Sequence, residues 1–472
     1  MWTLALWTGL ALGADVDQLL AQGRITEALK VAAAEVTANP GDVEVEERFI
    51  DILVSIGRAA VAREQALAAV AKTPTDADRH YLLGRATPDD AGSMAAYEAA
   101  LRLDPSHARA NMGAGSIYLA RGDWPGAKQA FERAVDLDGS LEEAWMGLVR
   151  AHMGMNRKAE ALSSARAGLD AVVDATSLAL LYADLAPASD ALPVLQEAAA
   201  AAPENPAIHL RLSEAWVDAN QPSKARQAVV LAARLGADPL RVRHITRAAE
   251  ELASGRLDVA GHQAIVAANA KLDAAAVMAL TDVVRRYPRS AVASLALAGA
   301  ARAQGDAARA TSELRKVLTL FPGDPDASAV LGAVLLSAGD PAAALPLLDA
   351  ARAVHTWDVD LWLAACKARA ALGQRDAALA LFGETAEQFP ASGRAVAARP
   401  AYLLELGRAD EAYEAARVQL QRQAFSEVGV VFVLAAVHSG RKSEAAAWID
   451  ALAKQTGRAE LAAIAARLRS AP

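Results

Sequence analysis

The 472-residue chain has a single cysteine, Cys366, which rules out an intramolecular disulfide and a cysteine metal cluster. That scarcity says nothing of compartment, since a secreted protein can do without disulfides. Aromatic residues are also scarce, 5% against 54% hydrophobic, so the apolar content is mostly Ala, Leu and Val and suits close helix–helix packing. Runs of Val, Ile and Thr that would read as strands are few. Long blocks of like charge are missing. The net charge of -8 is spread along the chain, which argues against a nucleic-acid footprint. The eight histidines are dispersed, with no His-x-x-x-His pair and no His-Glu-x-x-His. A glycine-rich phosphate loop after a strand and a Gly-x-Ser-x-Gly elbow are likewise missing. Beyond the first residues, charges break every apolar stretch within a turn or two, so no membrane span is expected. No catalytic residues, cofactor site or metal ligands are therefore assigned, and an enzyme is not expected.

What the sequence does hold is a repeating pattern. Between Ala108 and Gly139 a period near 3.6 gives two short amphipathic segments, Ala110 to Ala120 and Pro125 to Leu137, split by the breaker pair Gly122-Asp123. This is a helix-turn-helix hairpin. Gly115 and Ala127 are small where the two helices cross, and Tyr118, Trp124 and Phe131 fill the space around them. Such a hairpin cannot bury its apolar face alone and needs a neighbour of the same kind.

The spacing of small residues extends the pattern along the chain. Gly23 and Gly57, and Pro40 and Pro74, each recur at a separation of 34. Gly305, Gly339, Gly373 and Gly407 are also spaced by 34, with Gly440 following at 33. Each of these five precedes a second helix with a small crossing residue: Ala310, Ala344, Ala378, Ala412 and Ala445. Asn156 and Asn220 take the glycine's place at two turns. Glycine ends a helix in a left-handed conformation without steric cost, and proline at the exit cannot continue one. Pro400 falls inside a first helix, where a kink or late start is expected. Cys366 sits at a small-residue place and reads as buried packing. Trp145 and Trp362 read as core, and His209 and His244 as half-exposed packing.

These residues resemble the tetratricopeptide repeat, in the order of large and small residues, the Gly-Asp turn, the Ala and Phe of the second helix and the Leu-Asp exit, with Gly139 where the family usually has proline. The resemblance implies an all-α, right-handed superhelical solenoid of about 12–13 helical hairpins, closed by a C-terminal capping helix from Arg458 to Ser470 with Arg458, Arg467 and Arg469 exposed. Between Asp238 and Pro288 three helical patterns occur where pairs are wanted. Either a junction at 239–272 separates superhelices at 14–238 and 273–472, or the chain is a single solenoid with one degenerate repeat there.

The resemblance also implies function. Family members hold extended peptides or helices in the concave groove formed by the first helices, so the expected role is a non-catalytic scaffold for other proteins. The register along the first helices puts Glu44, Glu47 and Asp51, then Tyr81, Arg85, Arg109, Met112, Met146, Arg150 and Met153 on that inner face. The arginines would meet carboxylates on a partner and the methionines varied apolar side chains, Arg109 and Arg150 being solvated. The C-terminal inner face reads as small and weakly charged, with Leu295, Gly299, Ala329, Ala333, Leu336, Leu363, Lys367, Ala397 and Leu404. Members that clamp a chaperone's terminal carboxylate use lysines and asparagines at places where this chain has Arg, Met, Leu, Ala and Glu, so that role is not expected.

Met1 to Gly13 form an uncharged apolar run with a small-residue exit, which resembles a secretory signal peptide. Export to a bacterial envelope compartment, in an assembly or secretion machine, is the expectation. The alternative is a cytoplasmic regulatory module binding a peptide or small ligand, with Met1 to Gly13 as a native helix.

Overall fold

The computed structural model describes residues 25–422, 426–456 and 459–470, together with Val16 and Leu19. The expected signal peptide and Arg458 lie outside the described residues. Among those described, all regular structure is helical. The opening hairpin consists of Ala108–Ala120 and Trp124–Leu137, and its neighbours repeat it.

The turn chemistry explains the Gly-Asp signature. Gly122, Gly305 and Gly339 have φ of 72°, 77° and 82°, which only glycine adopts without strain. The aspartates that follow, Asp123, Asp306 and Asp340, accept hydrogen bonds from the amides of Gly126, Arg309 and Ala343 and so cap the second helices. Each such cap contributes about 1 kcal/mol. Asn156 and Asn220 stand in for glycine with φ of 60° and 55°.

The chain divides into two compact units, Met1–Ile245 and Thr246–Pro472. In the first, six hairpins are fully described, beginning with the helices Val43–Ser55, Ala77–Ala86, Ala108–Ala120, Glu142–Gly154, Thr176–Leu185 and Pro206–Asp218. Each of these first helices also packs on the next one. In the second unit the first helices are Val259–Asn269, Ala291–Ala303, Pro325–Ser337, Val359–Ala371, Gly393–Glu405 and Ser426–His438. Pro239–Ala253 precedes Val259–Asn269 in the chain, and the division between the units falls within it. The final helix, Ala459–Ser470, is single and exposes Arg467 and Arg469.

Close approach between hairpins depends on glycines facing large side chains. A Cβ on Gly84 or Gly113 would come within 2.3 Å and 2.6 Å of the Tyr97 ring, and one on Gly147 within 2.3 Å of the Phe131 ring. Gly332 faces Leu348 and Gly429 faces Trp448 in the same way.

Two expectations are corrected. Of the kink or late start expected at Pro400, the late start does not occur, because Gly393–Glu405 runs through it with Ser392 capping the first turn. His209 is buried rather than half-exposed, since its Nε2 lies 2.8 Å from the Pro203 carbonyl in the loop folded over it. Trp145 and Trp362 are half-buried. Trp145 donates its indole N–H to the Gly139 carbonyl at 2.9 Å, and Trp362 lies beneath the Arg352 guanidinium at 4.4 Å.

Gly147→Ala should destabilise the protein by about 1–3 kcal/mol in urea unfolding, because the rigid, buried Phe131 ring cannot move aside and overpacking outweighs the better helix propensity of alanine.

Candidate partner-binding site

The inner face of the first unit begins with the carboxylates of Val43–Ser55 and continues with arginines from the next two first helices. These groups bind one another. Arg85 holds Asp51 at 2.5 Å, with its Nε 3.4 Å from Glu47. Arg109 reaches back past a whole helix to Glu44 at 2.5 Å and to Glu47 at 3.4 Å. Arg79 pairs with Glu46, and the Tyr81 hydroxyl donates to Glu47. The acidic-to-basic progression along the sequence is thus an internal ladder across successive hairpins.

Several expected groove residues are corrected on this basis. Tyr81 is fully buried, with its ring centroid 6.1 Å from that of Tyr97 and 5.3 Å from that of His107, so it lines no surface. Met112 is buried in the cluster around Phe131, with its edge at the wall of the cavity described next. Arg85 and Arg109 are engaged by carboxylates of their own chain rather than free for a partner's, and Arg109 is not simply solvated. Met146 is half-buried, and Arg150 and Met153 are exposed. With Glu143 they form one stripe along Glu142–Gly154, because positions three and four apart share a helix face.

A cavity of about 610 Å³ lies between the ladder and this helix. Glu44, Glu47, Asp51 and Ile52 form one wall, Arg85, Arg109 and Met112 the next, and Ser140 to Glu143 the far side. It is an open, charged depression with an apolar contribution from Ile52, Met112 and Leu141, and it merges into the stripe through Glu143.

In the second unit Leu295, Gly299, Ala329, Ala333, Leu336 and Leu404 are partly exposed and Lys367 is exposed, while Leu363 and Ala397 are buried. Cys366 is fully buried, its sulfur 3.5 Å from the Thr385 hydroxyl, and burial pushes its thiol up to about 11. A thiol in that state is no nucleophile at neutral pH. No group of metal-ligating side chains occurs among the described residues, and no described helix is long and apolar enough to cross a membrane.

Two buried polar devices escaped the sequence reading. Glu251, 1% exposed, accepts from the Ser290 hydroxyl and from the amides of Ala291 and Val292 at 2.8 Å and 3.3 Å, satisfying the start of Ala291–Ala303. Glu142 does the same for the Leu178 amide at 2.7 Å. Arg247 meets Asp324 at 2.8 Å and Asp326 at 2.6 Å, and His355 lies 3.0 Å from Asp326. A glutamate placed about one repeat before a helix start is the signal that could have found the first device.

With this geometry in hand, comparison with protein-family models gives two that match, both described as tetratricopeptide repeat. One matches residues 93–142, 114–172, 267–325 and 295–355, and the other residues 188–261 and 335–399. The chain belongs to the tetratricopeptide repeat family.

Solved structures of the same kind are similar at low identity. YrrB, titled a TPR protein with an unusual peptide-binding site, is 19% identical, covering 39% of this chain and 98% of its own, with a TM-score of 0.31. A thermophilic TPR protein of Thermus thermophilus is 23% identical, covering 36% and 94%, with a TM-score of 0.31. A chain of the Cut9–Hcn1 hetero-tetramer of the APC/C is 13% identical, covering 96% and 95%, with a TM-score of 0.32. A search of the curated proteins finds no match. The tetratricopeptide chain is an all-α solenoid, a fold whose repeats serve protein–protein interaction and are generally non-enzymatic.

The buried tyrosines under the ladder make stability sensitive to alkali. Burial pushes Tyr97 up to about 12, and burial with the adjacent Glu47 carboxylate raises Tyr81. Both hydroxyls stay neutral in the folded chain while the unfolded chain ionises near pH 10, so the Tyr97 contribution is complete below pH about 10 and is lost as pH rises through about 12, and Tyr81 adds to the fall in the same direction. Urea midpoints should fall across that window, and Tyr97→Phe should flatten the fall by about 3 kcal/mol.

Proposed function

We propose that this protein is a non-catalytic scaffold that holds a peptide or helical segment of another protein along the inner face of its first unit. The observation that carries the reading is the stripe Glu143, Met146, Arg150 and Met153 running out of the 610 Å³ cavity. The ladder arginines Arg85 and Arg109 are already held by carboxylates, whereas Arg150 is exposed and no ion pair engages it among the described residues. Methionine adapts its shape to different apolar side chains, and an arginine at the same face fixes a carboxylate bidentately. Together they suit a ligand that is amphipathic and presented by a larger protein. The ladder behind them keeps the face in one shape, so little ordering cost falls on the scaffold when the ligand binds.

The reading extends to place and pathway. The apolar run of Met1 to Gly13 supports export, and with it a role in a bacterial envelope assembly or secretion machine.

Affinity capture from the native organism tests the reading. Arg150→Glu combined with Met153→Ala should reduce the captured partner about tenfold, a loss of about 1.4 kcal/mol, without moving the melting temperature, because both side chains are exposed. Unchanged capture overturns the assigned face. Mass spectrometry of the mature N-terminus tests export, and an intact Met1 on protein from the native source removes that part of the proposal.

A further inference from the structure

A second cavity of about 610 Å³ lies in the second unit, at the loops that follow Pro239–Ala253 and Ala274–Arg286. Three arginines line it, Arg256, Arg286 and Arg289, together with Ser254 and Tyr287, and no carboxylate does. This is a local reversal in a chain of net charge -8.

The arginines are held from behind and open in front. The Arg256 guanidinium lies 5.2 Å from the Phe321 ring centroid, and its Nε donates to the Ser254 hydroxyl at 3.0 Å. Arg286 lies 6.0 Å from the Tyr287 ring. Stacking on aromatic faces orients a guanidinium while leaving its terminal N–H groups unused. Among the described residues no ion pair engages any of the three, in contrast to the inner-face arginines Arg85 and Arg109 and to the adjacent Arg285, which is 3.0 Å from Asp282.

Besides Asp282, which pairs with Arg285, two acids near the cavity have partners within the chain. Asp258 accepts from the Gly261 amide at 2.7 Å, with the Tyr287 side chain close by. The Tyr287 hydroxyl first and the Gly261 amide next, with a smaller contribution from the Arg286 charge, hold its carboxyl below the usual range. Glu251 is buried at the start of Ala291–Ala303. Neither forms an ion pair with the three arginines among the described residues, although the Asp258 charge faces Arg286 and offsets part of its field.

We propose that this cavity docks an acidic peptide segment of a partner protein, with carboxylates of successive side chains meeting Arg256, Arg286 and Arg289. Charge complementarity selects the sign of the ligand. The number of cations selects its class: three guanidiniums around one open depression offer more binding points than a single oxyanion uses, and a short run of Glu and Asp side chains can meet all three. The site does not depend on the groove of the first unit, and the two stand or fall separately.

The test uses the full chain and a fluorescein-labelled hexaglutamate peptide, read by fluorescence anisotropy at low salt, with hexaserine and hexalysine as comparators. Hexaglutamate should bind about tenfold more tightly than hexaserine and weaken as salt is added. Arg286→Gln with Arg289→Gln should weaken it about tenfold. Both side chains are exposed, and Arg256 is spared because it packs on Phe321. Arg302→Gln with Arg315→Gln removes the same charge from exposed positions elsewhere in the unit and should change binding less than about twofold. Arg150→Glu should leave it unchanged. The proposal is overturned if hexaglutamate binds no better than hexaserine, if the two double variants lose affinity equally, or if inorganic phosphate saturates the site while hexaglutamate does not bind.

Discussion

Everything in this molecule depends on backbones approaching closely enough for one hairpin to seal the next. That approach is possible only where one side of each contact has no side chain to spare. Gly84 and Gly113 receive Tyr97 from both sides, Gly115 and Gly147 receive Phe131, and Gly429 receives Trp448. A ring inserted between two glycines is buried by two helices at once, which is how a chain with few aromatic residues obtains a continuous core from alanine and leucine. The turns serve the same end, since a left-handed glycine followed by an aspartate cap reverses the chain in few residues and sets the second helix against the first.

Stacking of this kind brings charges from successive repeats into line, and the first unit uses them internally. Arg109 spans two hairpins to reach Glu44 and Glu47, and Tyr81 buries its ring in the core while its hydroxyl meets Glu47. Partly exposed ion pairs contribute little to stability individually. Their geometric consequence is larger: they occupy the arginines that a partner's carboxylates would otherwise meet and leave the stripe on Glu142–Gly154 as the open part of the face. In the second unit the arrangement differs, since Arg256, Arg286 and Arg289 line an open depression and no ion pair engages them among the described residues.

The hairpins were legible in the sequence because their determinants are local and periodic. Gly122-Asp123 marks a turn on its own, and Asn156 is recognisable as a glycine substitute from its place in the period. Helical periodicity also assigned Cys366 to the core. The inner-face chemistry was half legible. The register brought Arg85, Arg109 and Arg150 to one side of their helices, but sequence alone does not show that Glu47, one repeat before Arg85 and two before Arg109, lies within reach of both. Glu251 and Arg247 were missed for the same reason, as their partners stand dozens of residues away with no local signature. The late start expected at Pro400 does not occur because a proline within a helix costs only what its neighbours fail to offset, and here Gly393–Glu405 is packed on both sides.

The central claim is that glycine-mediated stacking leaves the inner face of the first unit, and not its outer helices, open to hold another protein. Site-specific photo-crosslinking in the native organism tests it most directly, with a benzophenone side chain placed at Arg150 on the inner stripe or at Arg166 on the exposed side of the second helix Lys158–Ala171. The account predicts a discrete covalent adduct from position 150 and none from position 166. An adduct from position 166 with none from position 150 would contradict it.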